Sequence, residues 1–217
     1  MRVLVVGATG GSGRATVNAL LSAGHEVTAF ARRPEALGVT AERLKVFQGD
    51  AMKPGDVERA VQGQDAVIVT LGITENALLV RLRGSAGTPL DVRSAGTRNV
   101  IAAMRKHGVR KLVVQTTYGV GETKGRLPLS WKLIFALLLQ PQIRDTERQE
   151  REVRESGLDW VLAQPVGLTD DAKEEVFPSP VGEARGMSVS RRSVGRFLVE
   201  AAESARYIGR SVALSAA

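Results

Sequence analysis

Short apolar runs rich in β-branched residues alternate with helical stretches from the first residue onward, and that alternation constrains the fold more than any other feature. The runs are RVLVV (2–6), EVTAFA (26–31), LKVFQ (44–48), AVIVTL (66–71), KLVVQT (111–116) and DWVLAQ (159–164). Each reads as a buried strand. Residues 12–23, 54–62, 91–107 and 145–156 read as helices, closed by Gly24, Gly63, Gly108 and Gly157. Continuous apolar strands joined by helices imply a parallel sheet covered on both faces, because right-handed crossovers place the helices there. The expectation is a doubly wound, three-layer α/β/α sheet, a Rossmann fold, as a single domain over residues 1–217.

In that architecture ligands bind outside the carboxyl ends of the strands. The positions to inspect are therefore Gly7, Arg32, Asp50, Gly72, Thr117 and Pro165. Beyond Pro165 the stretch VGLTDDAKEEVFPSPVGEARG (166–186) has two prolines and no periodicity. It is expected, with residues 117–145, to form the substrate side within 165–192. A helix at 193–204 and a strand at 211–214 close the chain.

The loop after the first strand explains why the chain begins as it does. Gly7, Gly10 and Gly13 are spaced G-x-x-G-x-x-G, with Thr9 where the G-x-G-x-x-G fingerprint has its second glycine, and Gly11 and Ser12 add to the bareness. Missing side chains let a pyrophosphate approach the amides at a helix N-terminus. A mononucleotide loop would require Gly-Lys-Ser/Thr, and the chain has Gly13-Arg14. At the end of the second strand, where an NAD site carries an acid, stand Arg32 and Arg33, which suit a 2′-phosphate. NADP(H) is expected in preference to NAD(H). Asp50, with the Ala51 amide, suits either an adenine edge or a helix cap, and Leu71-Gly72 lets the chain pass close to a dinucleotide.

Thirty Lys and Arg against 23 Asp and Glu give a formal charge of +7, but the cations are scattered and aromatics are only 4%. No nucleic-acid motif accompanies them, so a phosphorylated small molecule is the expected partner. The chain has no cysteine, which excludes disulfides, thiolate metal sites and thiol nucleophiles; no metal is expected. Met1-Arg2 leads straight into a strand, and the apolar segment 131–139 is far shorter than the ~20 residues of a spanning helix. A cytoplasmic location is expected, with 131–139 covering the substrate pocket or a partner surface.

GATGGSG, the RR and GD strand ends, GQDAVIVTLG (63–72), AGTRNVIAAMRKHGVRKLVVQTT (95–117) and VRESGLDWVLAQP (153–165) together resemble the atypical short-chain dehydrogenase/reductase superfamily. The later segments are most similar to the biliverdin-IXβ reductase/flavin reductase group and its NAD(P)H-binding, NmrA-like relatives. The resemblance implies an NADPH-dependent reductase that passes hydride to a flavin, FMN among them, or to a similar planar acceptor. It places Thr117, with Thr116 before it, beside the nicotinamide, and Glu150 where the group carries a histidine. The wider superfamily's Tyr-x-x-x-Lys pair is missing, since Tyr118 leads to Glu122 and Tyr207 to Ser211. His25 and His107 lie in helix-to-strand turns, away from the crevice. Asp145, Glu147 and Glu150 share one region of a charged helix, where Glu147 is expected to pair with Arg151 and Glu150 to reach the pocket. Two readings follow: a reductase with a flavin-like acceptor, or a catalytically silent NADP(H)-binding redox sensor of NmrA type.

Overall fold

In β1 (Arg2–Val6), Val3 and Val5 face one apolar layer and Leu4 and Val6 the other, all four at most 1% exposed. A strand buried on both faces needs helices on both sides of its sheet. The computed structural model, which describes residues 1–73, 84, 87–128, 139–171 and 175–217, has that arrangement. On one face, α1 (Gly11–Ser22) and α5 (Arg191–Glu203) pack together. On the other lie α2 (Pro54–Val61), α3 (Val92–Lys106) and α4 (Gln140–Arg154).

Strands β2 (Glu26–Ala31), β3 (Leu44–Gln48), β4 (Ala66–Val69), β5 (Lys111–Gln115), β6 (Asp159–Pro165), β8 (Val176–Ser179) and β10 (Arg210–Ala216) complete an eight-stranded sheet of order β3-β2-β1-β4-β5-β6-β10-β8. The chain goes from β1 to β2 on one side and returns to β4 on the other, which opens a crevice where the strand order reverses. Val6 pairs with both Phe30 and Val69, so the carboxyl ends of β2, β1 and β4 lie level beneath that crevice.

Three departures from the sequence expectation bear on the site. The sheet is parallel except at its edge, where β8 runs antiparallel to β10. The stretch expected to be irregular contains β7 (Gly167–Thr169) and β8, and β7 forms a separate parallel pair with β9 (Ser188–Ser190). Strands of three or four residues are too short to display a period, and their partners are remote in sequence. Helix α4 begins five residues before 145, because Pro141 falls in its first turn, where no N–H is needed. The first eight residues of the apolar segment, 131–138, lie outside the described residues. No helix among the described residues is long and apolar enough to cross a membrane.

Candidate dinucleotide and acceptor site

The glycine loop is built partly by the fold's own demands and partly by none of them. Gly7 leaves β1 at φ +90°, and a Cβ there would stand 3.0 Å from the Thr70 carbonyl oxygen. On Gly13 a Cβ would lie 2.2 Å from the Gly7 oxygen, so α1 can approach β1 only without a side chain. Gly10 differs, since a Cβ would meet nothing nearer than 3.5 Å. It is the N-cap of α1, no side chain caps the helix, and the first turn has no acid. The amides at that N-terminus and the helix dipole thus face the crevice uncapped, which fits a pyrophosphate. Ser12 is buried within the turn, its carbonyl accepting from the Thr16 hydroxyl, and Thr9 is half-buried beside it.

At the end of β2, Arg32 and Arg33 are both exposed. Arg32 donates to the Gly87 carbonyl at 2.6 Å and the Thr88 hydroxyl at 2.9 Å, linking β2 to the approach to α3. The Asp50 carboxylate accepts from the Met52 amide, a turn leading into α2, while its own amide donates to Asp56. The Ala51 carbonyl accepts from Asn99 of α3 at 2.8 Å.

Leu71 and Gly72 follow β4, and here the structure adds a residue that sequence reading passed over. Arg93, in the first turn of α3, donates from Nη1 to the Leu71 carbonyl at 2.9 Å. A Cβ on Gly72 would stand 3.0 Å from Arg93 Nη2, so the guanidinium borders the gap left by the missing side chain. The N-terminus of α3 is closed by Asp145 of α4, whose carboxylate accepts from the Arg93 and Ser94 amides and the Ser94 hydroxyl.

The two threonines after β5 diverge. Thr116 is buried and its hydroxyl donates to Glu150 at 2.8 Å, leaving only its backbone for any cofactor contact. Thr117 lines a cavity of about 420 Å³, whose walls include Leu127, Ile143, Val166, Leu168 and Arg93. Pro165 ends β6 beneath it, its carbonyl accepting from the Tyr118 amide. Leu139, the last residue of the apolar segment, also lines this cavity.

Glu150, expected to reach the pocket, does not. It is 1% exposed, and its oxygens accept from Thr116, from Gln164 at 2.8 Å and from Arg154 at 2.9 Å. A buried carboxylate needs that many donors, and this one holds β5, β6 and α4 together. Glu147 pairs with Lys124, not with Arg151. The Tyr118 hydroxyl donates to the Gly182 carbonyl at 3.2 Å, and burial pushes its pKa up, with Arg126 opposing. It is held as a neutral structural phenol. His25 meets Glu203 at 2.8 Å, at the opposite edge of the sheet from the crevice.

A second arginine also escaped the sequence reading. Arg191, at the start of α5, lies over the glycine loop: a Cβ on Gly11 would come within 2.7 Å of its side chain. It pairs with Asp170 at 2.8 Å and lines the cavity that holds Thr117. The signal available was a basic residue opening a helix after a strand; neither arginine belongs to a spaced motif.

The family profile described as NAD(P)H-binding matches residues 7–205. This chain belongs to the NAD(P)H-binding family. An uncharacterised chloroplastic protein of Arabidopsis thaliana is 30% identical over 92% of this chain and 71% of its own length. A (4-alkanoyl-5-oxo-2,5-dihydrofuran-3-yl)methyl phosphate reductase of Streptomyces griseus is 30% identical over 98% of this chain and 67% of its own. Among solved structures, ChuY, an anaerobilin reductase from Escherichia coli O157:H7, superposes with a TM-score of 0.78 at 23% identity, covering 100% of this chain and 97% of that one. Membership of the NAD(P)H-binding family makes this a nicotinamide-dinucleotide protein of oxidoreductase type with a Rossmann fold, and the crevice above β1 and β4 is where such a fold takes its cofactor.

Proposed function

We propose that the chain is an NADPH-dependent reductase whose acceptor is a planar, conjugated small molecule such as a flavin. The observation that carries this reading is the cavity of about 420 Å³ at the carboxyl ends of β5 and β6, with mostly apolar walls and Thr117 on its lining. Its lining comes from residues 117–145 and 165–192, together with Arg93 and Thr146. In this reading the two stretches are the acceptor side of a single domain.

The uncapped start of α1, Gly10 to Gly13, would hold the pyrophosphate, with Arg191 above it, and Arg32 and Arg33 would meet the 2′-phosphate. Asp50 and Ala51 would border the adenine, and Leu71, Gly72, Thr116 and Pro165 the nicotinamide half. When bound, the cofactor supplies the hydride. Thr117 would orient the acceptor. Tyr118 and Glu150 are engaged in the fold, so neither of these two stands ready to protonate a carbonyl oxygen. That favours an acceptor whose reduced form takes its proton from solvent, for which alignment is the main requirement. Relatives named as reductases support the same class of reaction.

The engagement of Tyr118 and Glu150 also favours a second reading, a redox sensor that binds NADP(H) without turnover. NADPH oxidation followed with FMN, riboflavin and quinones separates the two. Turnover of any of them upholds the reductase. Tight NADPH binding with none turned over replaces it with the sensor.

A further inference from the structure

The cavity beside Thr117 is apolar over most of its wall, yet Arg93 is among the residues that line it, its guanidinium held beside Leu71 and Gly72. Arg93 is half-buried, and one of its N–H groups donates to the Leu71 carbonyl. Asp145, the acid whose charge acts on it, is occupied by the amides and hydroxyl at the start of α3. Among the described residues no carboxylate forms an ion pair with the Arg93 guanidinium, whereas Arg191, the other cation on the same cavity, is paired with Asp170. Burial holds the Arg93 guanidinium below its ordinary pKa, with the Asp145 charge opposing. An arginine nonetheless stays protonated near neutral pH. A cation partly stripped of water, bordering a small-molecule cavity and presenting a rigid fork of donors, favours a planar or tetrahedral anion.

We propose that this cavity takes an aromatic or conjugated acceptor carrying a carboxylate or phosphate group, and that Arg93 binds that anion. The dinucleotide's own phosphates are the competing occupant. They are provided for at the uncapped start of α1, beside β1, while Arg93 stands after β4 on the wall that contains Thr117. That the ligand is an acceptor rests on the reductase reading; the anion subsite does not.

The test uses two matched probes, 2-naphthoate and 2-naphthamide, titrated calorimetrically into the NADP⁺-loaded protein. The wild type should bind the carboxylate about tenfold more tightly than the amide, the scale of one charge-assisted hydrogen-bonding group. Arg93→Gln should abolish that preference while NADP⁺ affinity stays within about twofold, and Arg93→Lys should restore part of it. Absence of a preference in the wild type overturns the proposal. So does an Arg93→Gln variant that keeps the preference, or one that loses NADP⁺ affinity instead, which would assign the guanidinium to the dinucleotide. Circular dichroism of both variants checks folding, and Arg93→Lys carries the test if Arg93→Gln fails to fold. Turnover of FMN against riboflavin, which share a ring and differ by a phosphate, is read in parallel. A carboxylate preference without turnover of either flavin or any quinone keeps the subsite and removes the reductase reading.

Discussion

Two helices begin at the carboxyl ends of neighbouring strands, and they are finished in opposite ways. Helix α1, after β1, starts on Gly10 with no side-chain cap and no acid in its first turn. Helix α3, after β4, starts under the buried Asp145 carboxylate, which takes two of its amides and a hydroxyl. A helix N-terminus is an anion site only while its amides are free. One start is left without a side-chain cap, and the other is closed by the protein's own carboxylate. In the proposed reading, an anion near α3 would be recognised by a side chain, Arg93, whereas near α1 the backbone amides would hold it with Arg191 above them.

Exchanging the two finishes should give the largest effect. Gly10→Asp would give α1 a cap where a Cβ has room, 3.5 Å from its nearest neighbour. Stability in urea should change by less than about 1 kcal/mol. NADPH affinity, followed by fluorescence titration, should fall more than about a hundredfold, because a carboxylate would occupy the amides and repel the pyrophosphate. Retention of tight binding would show that α1 is not the phosphate seat.

The reciprocal change opens α3. Asp145→Ala should lower unfolding stability by about 2 kcal/mol, with Asp145→Asn recovering part of it, since an amide oxygen still accepts from the helix N–H groups. NADPH affinity should move far less than in Gly10→Asp. Arg32→Glu then asks whether the far end of the crevice also depends on a side chain. It should reduce the preference for NADPH over NADH by about tenfold to a hundredfold, measured as a ratio of dissociation constants. An unchanged ratio would sink the 2′-phosphate assignment.

The smallest effect is expected at Tyr118. Tyr118→Phe removes the bond to the Gly182 carbonyl, about 1 kcal/mol, and should leave NADPH turnover nearly unchanged. Burial raises the Tyr118 pKa, so folding favours the neutral phenol. That contribution is fully present below the unfolded value near about 10 and is lost as pH rises through the higher folded value. Stability should therefore decline in strongly alkaline solution, less steeply in the Phe variant, with Tyr207, also raised by burial, as the remaining contributor. An activity profile with a tyrosine limb near neutral pH would overturn the structural role given to Tyr118.

The layers were legible because their signal is local. Three strands, β1 to β3, lie where their apolar runs lie, and the glycine loop, Arg32 and Asp50 stand at strand ends as the alternation implied. What could not be read was any role set by a remote partner. Asp145, Glu147 and Glu150 look alike on one charged helix. In the fold, the first caps α3, the second meets Lys124 at the surface, and the third is buried against Thr116 and Gln164. Thr116 and Thr117 are identical neighbours after β5, yet the first is buried with its hydroxyl on Glu150 and the second lines the cavity.

By itself the sequence determined the parallel strands from β1 to β6, the helices between them and the bare loop after β1, since each depends on periodicity or on residues within a few positions of one another. The tertiary structure decided which helix start remained open, which carboxylate was buried and which arginines reached the crevice. Those outcomes depend on groups about fifty residues apart meeting at one point, as Arg93 and Asp145 do across a separation of 52, and no local pattern encodes such a meeting.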